Sequence, residues 1–231
     1  MREERVDMPA DRQMLEELRD ELRGRFLPYL RRAFQRIPPV TKPRILDIGC
    51  GSGVPTIELA HLSGGDVTGV DIDSDSLKRL KKRAKAAGLT GRVHVVRGSM
   101  TSMDFPAASY DILWAEGAAN VIGFEQALRD WKRFLRPGGY LVLHDSVENL
   151  ERTKEEVAVQ GYQLLDSFTV TSDVWWKEYF EPLGRAMQQV RRENPRDLKL
   201  LAALEQVDRE VKGCLEHPEE NQSVYLVLRL Q

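Results

Sequence analysis

Arg44-Ile-Leu-Asp-Ile-Gly-Cys-Gly-Ser-Gly53 is the stretch from which the rest of the chain can be placed. Ile45 to Ile48 reads as a buried strand that carries one carboxylate, Asp47. Gly49, Gly51 and Gly53 then make a turn in which backbone faces outward, and Pro55, tolerated in the first turn of a helix, precedes Ile57, Leu59, Ala60 and Leu62. Strand, glycine turn and helix in that order form a cradle for a nucleotide-like ligand. A dinucleotide fingerprint places its third glycine three positions after the second; this chain has Val54 there. Asp47, just ahead of the turn, repels a pyrophosphate but welcomes an ammonium or sulfonium group, so the cradle suits a cationic ligand.

Counting outward, Asp66 to Val70 reads as a second strand ending in Asp71, 22 residues after Gly49. Nucleotide-binding units put an acidic residue at about that interval to accept the ribose hydroxyls. The alternative role, capping the next helix, suits Asp73 or Ser74 better. Ser74 to Ala87 is expected to be a helix ended by Gly88, with Leu77 and Leu80 inward and Lys78, Arg79, Lys81, Lys82, Arg83 and Lys85 outward. With no aromatic interleaved to stack a base, that basic face reads as solvated before it reads as nucleic-acid binding. Arg92 to Arg97 follows as a third strand and Tyr110 to Trp114 as a fourth. Ala115 to Asn120 is then the loop at the carboxyl end of the fourth, where open α/β sheets carry their ligand crevice. Phe124, Leu128, Trp131 and Leu135 predict one amphipathic helix closed by Pro137-Gly-Gly139, ahead of a fifth strand, Tyr140 to His144. His144-Asp145 at its end is a general-base pair or, equally, a structural histidine beside a helix-capping aspartate.

Ile-Leu-Asp-Ile-Gly-Cys-Gly-Ser-Gly resembles motif I of the class I S-adenosylmethionine-dependent methyltransferases, and Arg136-Pro-Gly-Gly139 ahead of a strand resembles another hallmark of that family. The resemblance implies S-adenosylmethionine as cofactor and S-adenosylhomocysteine as product. It implies cofactor contacts from Asp47, Gly49, Cys50, Gly51, Asp71, Ile72, Ser99, Met100 and Glu116, with Ile72 beside the adenine and Cys50 as a small loop residue, not a nucleophile. The chain lacks the Asn/Asp-Pro-Pro-Tyr/Phe motif of enzymes that methylate adenine, cytosine or glutamine amides. Glu116-Gly-Ala, Ile122-Gly-Phe-Glu125 and Trp175-x-x-x-Tyr179-x-x-Pro182 are instead similar to a small bacterial and archaeal group of methyltransferase-like proteins without an established substrate. Glu116 and His144 are the catalytic candidates, and Asn120, Trp175 and Tyr179 the substrate-binding ones; no metal is expected.

At the N-terminus, Asp11 to Gln35 carries Met14, Leu15, Leu18, Leu22, Phe26, Leu30 and Phe34 at helical spacing, interrupted at Pro28 and stopped by Pro38-Pro39. Relatives of this family make residues 11–36 a candidate helical cap. After a helix at Glu151 to Gln160, Gly161 to Val170 and Ser223 to Leu230 read as the sixth and seventh strands, the last inserted antiparallel. Residues 174–216 between them are far too long for a hairpin and helical in pattern, broken at Pro195. Their aromatics either wall a pocket on the substrate side or form core beneath the insertion. The expected fold is thus α/β: a Rossmann-like, seven-stranded, mostly parallel sheet with an antiparallel last strand, N-terminal helices and a helical insertion. Residues 44–147 are its cofactor-binding core, within a single domain, 1–231.

With 231 residues, 42% hydrophobic and 30% charged, the chain is an ordinary globular protein with one sizeable core. A net charge of −2 gives no general pull toward a polyanion. Cys50 and Cys214 are too few for a disulfide framework. The charged opening lacks the apolar region of a signal peptide, and no run suits a membrane span, so a cytoplasmic setting is expected. The leading reading is a small-molecule methyltransferase. An RNA or protein methyltransferase, a regulatory protein that binds the cofactor without turnover and, most distant, a hydride-transferring oxidoreductase compete with it. Oligomeric state is not legible.

Overall fold

Seven apolar segments become strands: Arg44–Ile48 (β1), Asp66–Asp71 (β2), Val93–Arg97 (β3), Tyr110–Glu116 (β4), Leu135–Asp145 (β5), Tyr162–Val170 (β6) and Ser223–Leu230 (β7). They form one sheet of order β3-β2-β1-β4-β5-β7-β6, in which β7 pairs antiparallel with both β5 and β6. The helices are Ala10–Gly24 (α1), Leu27–Phe34 (α2), Val54–Ser63 (α3), Ser74–Ala86 (α4), Ala119–Ile122 (α5), Phe124–Trp131 (α6), Leu150–Val159 (α7), Ser172–Trp175 (α8), Glu181–Glu193 (α9) and Leu198–Glu216 (α10). This computed structural model describes residues 10–146 and 150–231; residue 147, the expected end of the cofactor core, lies outside them, as do the first nine residues of the signal-peptide reading.

The chain divides into two compact units, Leu27–Val170 with Gln222–Gln231, and Thr171–Asn221 with the residues up to Phe26. The expected cap 11–36 is therefore split: α2 belongs to the sheet unit and α1 to the helical one. In the sheet unit, Ile45, Leu46, Ile48, Trp114, Leu141 and Val142 are essentially fully buried, the near-continuous apolar runs of strands covered on both faces. Trp131 and Phe134 add bulky, fully buried side chains to the same core. In the helical unit α1 packs against α9 and α10, and a five-residue π-helical turn, Trp176–Phe180, joins α8 to α9. Among the described residues no helix is long and apolar enough to cross a membrane.

Three local readings are corrected. The helix expected to run from Phe124 to Leu135 ends at Trp131, passes through a 3-10 turn at Lys132–Phe134, and gives Leu135 to β5. Leu135 keeps its helical spacing because it is buried all the same, paired with Tyr110. The ladder then skips to Ile112 opposite Tyr140, and Arg136 to Gly139 bulge between. Gly139 is needed there, since a Cβ would lie 3.0 Å from the Asp111 carbonyl oxygen and 2.9 Å from that of Arg136. Finally, β4 runs two residues beyond Trp114, to Glu116, because Ala115 and Glu116 pair with Leu143 and His144; the loop starts at Gly117 and gives way at Ala119 to the short α5.

Candidate functional site

From β1 the chain winds outward through β2 and β3, then returns to place β4 on the other side of β1. At such a reversal the loops leaving the two central strands diverge and open a crevice at their carboxyl ends. Here those loops are the glycine turn after β1 and Gly117-Ala118 after β4.

The turn is held almost wholly by backbone and one carboxylate. Gly49 and Cys50 both donate to the Val70 carbonyl, at 2.9 and 3.1 Å. Gly51 donates its N–H to Asp71 Oδ2 at 2.8 Å, and Asp73 donates to Asp71 Oδ1 at 2.8 Å. Asp71 thus clasps the turn to the end of β2, while Asp73 caps α4 by accepting from Asp75 and Ser76. The glycines serve different ends. At Gly51 (φ +53°) an added Cβ would meet nothing within 4 Å, so bare backbone faces open space. At Gly53 (φ +81°) it would fall 2.1 Å from Leu80 Cδ1, so that glycine exists for packing.

Around the turn, Met100 brings its methyl carbon to within 3.7 Å of where a Gly49 Cβ would stand, and its carbonyl accepts from Trp131 Nε1 at 3.1 Å. Ser99 shares a 2.8 Å hydrogen bond with Thr101. Ile72, directly after Asp71, is 66% exposed, an apolar side chain left without cover at the end of β2. Cys50 is buried, and burial, reinforced by Asp47 and Asp71, pushes its thiol far up, so it is no nucleophile.

Asp47 is buried in β1 and accepts 2.6 Å from Thr56 Oγ1 on α3. Burial pushes its carboxyl up to about 7 against the opposing Thr56 hydrogen bond, and the neighbouring charges of Glu116 and Asp71 push the same way. Three acids thus bear on one crevice, and burial holds the most buried of them well above the ordinary carboxylate range. A cation placed there ionises it, which an anion could not do.

Glu116, at the end of β4, is the centre of a polar network. Its Oε1 accepts from Trp114 Nε1 at 2.8 Å and from the Tyr225 hydroxyl at 3.0 Å, while His144 Nδ1 lies 3.5 Å from Oε2. The other ring nitrogen of His144, Nε2, is 2.7 Å from Ser223 Oγ, and the ring stacks on Tyr225 at 3.9 Å between centroids. Tyr225 stacks in turn on Phe168, beneath the Arg32 guanidinium. Burial and the Glu116 charge push the Tyr225 phenol well above its ordinary value, keeping it a donor. Tyr225→Phe should therefore cost about 1–2 kcal/mol, the loss of one buried hydrogen bond to a charged group, in urea unfolding; no loss would mean that Glu116 does not depend on it.

The structure brings Asp47, Gly49, Cys50, Gly51, Asp71, Ile72, Ser99, Met100, Glu116 and His144 to the carboxyl ends of β1 to β5. Asn120 lies on α5, its backbone N–H on Asp145 at 3.0 Å and its side-chain amide on Ser146 at 2.7 Å. Trp175 and Tyr179 belong to the helical unit. Sequence reasoning missed Thr56, Trp114, Ser223 and Tyr225. The last two carry a signal in hindsight: they are polar groups in an apolar strand, and antiparallel register sets Tyr225 opposite His144.

Topology and crevice together define a Rossmann-like α/β protein with an antiparallel seventh strand. Residues 45–139 match the family model described as a methyltransferase domain, and that segment is similar to the S-adenosylmethionine-dependent methyltransferases. Among curated relatives, 27-O-demethylrifamycin SV methyltransferase of Amycolatopsis mediterranei is 36% identical over 51% of this chain and 46% of its own. The chain spans between about a third and a half of the length of the first curated relatives it matches. A SAM-dependent methyltransferase from Thiobacillus denitrificans, solved with S-adenosyl-L-homocysteine, superposes at a TM-score of 0.78 and 18% identity, over 98% of this chain and all of that one. The [4+2]-cyclase SpnF superposes at 0.74 and 20% identity, over 88% of this chain and 80% of that one. At such identities the likeness is one of fold.

Proposed function

We propose that this protein transfers the methyl group of S-adenosylmethionine to a small organic acceptor. The observation that carries the reading is the crevice itself: outward-facing backbone at Gly51, clasped by the acid that ends β2, with Asp47 and Glu116 supplying negative charge where a sulfonium and an ammonium would lie. The residues fit that cofactor, since open space at Gly51 admits it, the Asp71 carboxylate retains lone pairs for ribose hydroxyls, and Ile72 and Met100 offer apolar cover for adenine. Ser99 is proposed at the adenine edge.

The cofactor supplies an activated methyl on a positively charged sulfur, which leaves as a neutral thioether. The chain's task is to align, desolvate and, for a protonated nucleophile, take a proton. Glu116 is the group we assign to that task or to holding an acceptor ammonium, through Oε2, because Oε1 already accepts two hydrogen bonds. His144, buried with both ring nitrogens engaged, is assigned to orienting Glu116. Asn120, Trp175 and Tyr179 stay proposed acceptor contacts, and residues 1–231 are proposed to act as one methyltransferase domain. A small acceptor is supported by the near-neutral charge, by the missing Asn-Pro-Pro-Tyr motif and by the relative named for a rifamycin. The test is incubation with methyl-labelled cofactor and a metabolite extract, read by mass spectrometry. A labelled product together with S-adenosylhomocysteine supports the reading. Tight cofactor binding without any S-adenosylhomocysteine would favour a regulatory protein.

Asp47 makes cofactor binding pH-dependent with a fixed sign. Its carboxyl is raised when folded, so the free protein loses stability as pH climbs from the ordinary carboxylate range through about 7, where the buried group must ionise. A bound cation favours the ionised form, so binding expels a proton below that pH. Affinity should rise about tenfold between pH 6 and 8, and the rise should vanish in Asp47→Asn. Calorimetry of both proteins checks this; parallel profiles would remove Asp47 from the electrostatics of the site.

A further inference from the structure

The helical unit contains a cavity of its own, about 450 Å³, within the size range of small-molecule sites. One wall is aromatic. Trp175 packs on Phe26 at 4.4 Å between ring centroids and meets Tyr179 edge-on at 5.9 Å; Tyr179 meets Phe180 edge-on at 5.2 Å. The wall is set before any ligand arrives. Arg19 donates to the Tyr179 hydroxyl at 3.0 Å and to both oxygens of Glu210 at 2.9 and 2.7 Å, fixing the ring and tying α1 to α10. The π-helical turn is what turns Tyr179 and Phe180 to this side, and such turns recur where a helix serves a ligand.

Charge decides the class of ligand. Arg19 and Glu210 cancel as a bidentate pair. What remains along the cavity is Arg23 from α1, Arg209 from α10, His217, which lies 3.7 Å from Glu219, and the opposing Glu220. Arg23 reaches only a 3.8 Å contact with Asp20 and is half exposed, and Arg209 makes no hydrogen bond or ion pair among the described residues. Two guanidiniums from different helices beside a preformed aromatic wall match a flat apolar body that carries a carboxylate, since the guanidinium fork chelates that group. We propose that this cavity binds a small aromatic carboxylic acid. Trp175 and Tyr179 are shared with the acceptor contacts proposed above, while the other lining residues carry no role there, and the binding test does not depend on methyl transfer.

The test uses the full chain and three probes of one shape: 2-naphthoate, 2-naphthylmethanol and 2-naphthylmethylamine, titrated by calorimetry or ligand-observed NMR. Naphthoate should bind about tenfold more tightly than the alcohol, with the amine weakest, the gain expected of a chelating guanidinium contact at a partly exposed site. Arg23→Gln with Arg209→Gln should bring naphthoate down to the alcohol, and Glu220→Gln should tighten it a few-fold. Cofactor titration of each variant reports folding separately, and loss of methyl transfer in the parent protein leaves the probe result readable. Equal binding of the three probes, preference for the amine, or a preference untouched by the double variant overturns the proposal.

Discussion

Asp71→Ala should weaken S-adenosylmethionine binding about a hundredfold, because the side chain does two jobs at once. In the free protein its two oxygens accept the N–H groups of Gly51 and Asp73, each at 2.8 Å. A hydrogen bond to a charged acceptor contributes about 1.5–3 kcal/mol. The first of them fixes the turn against which the cofactor is proposed to lie. The remaining lone pairs are those assigned to the ribose, so the variant loses a ligand contact and the preorganisation of the turn together. Asp71→Asn separates the jobs: it keeps one acceptor oxygen but offers an amide where Gly51 or Asp73 must donate. Its affinity should fall between those of the parent and the alanine variant. Calorimetric titration decides, and an unchanged affinity in Asp71→Ala would remove Asp71 from the site.

What was legible in the sequence follows from what the site is made of. The glycine turn, the acid ending β2 and the strand pattern are local, with fixed intervals along the chain, so Asp47, Gly51 and Asp71 could be placed by counting. Partners drawn from distant strands could not. Glu116 reads in sequence as part of the loop after the fourth strand, but its character comes from Tyr225, 109 residues on, and from His144 through Ser223. Those contacts exist only because β7 inserts antiparallel between β5 and β6. Helix ends suffered from the same blindness. Leu135 fits a helical period and a strand equally well, and only the bulge at Arg136 to Gly139 decides for the strand. The helical unit was legible as amphipathic helices, while the π-helical turn that aims its aromatics has no periodic signature.

On the assignment proposed above, the polar network gives a buried histidine at this crevice an orienting role. A carboxylate with donors on only one oxygen can rotate. Trp114 and Tyr225 fix Oε1 of Glu116, and His144 stands against Oε2, so the free lone pairs of Oε2 point in a defined direction. The stack of His144, Tyr225 and Phe168 resists tilting of either ring. Orientation is one of the services that a methyl donor already activated by its own charge still requires, and a network of this kind would provide it.

Gly53→Ala should be the most destabilising small substitution in the turn, with a loss of about 2–4 kcal/mol from overpacking and backbone strain combined. The new Cβ would lie 2.1 Å from Leu80 Cδ1, 2.9 Å from its Cγ and 3.1 Å from its Cβ. Turning the Leu80 side chain moves the first two atoms away, but its Cβ is fixed by α4, and Leu80 is fully buried, with Gly69 close on the other side. Relief has to come from the backbone. Removing the obstacle should restore part of the loss: Leu80→Ala alone leaves a cavity costing about 2–5 kcal/mol, yet Gly53→Ala on that background should cost at least about 1 kcal/mol less than on the parent. Gly51→Ala makes the contrast. Its φ of +53° exacts only the strain of a left-handed residue, about 1 kcal/mol, because its Cβ enters open space. That space is where the cofactor is proposed to lie, so cofactor affinity should fall by more than stability does. Urea unfolding and calorimetry on the same two variants separate the glycine that packs from the glycine that binds, and the reverse pattern would exchange their roles.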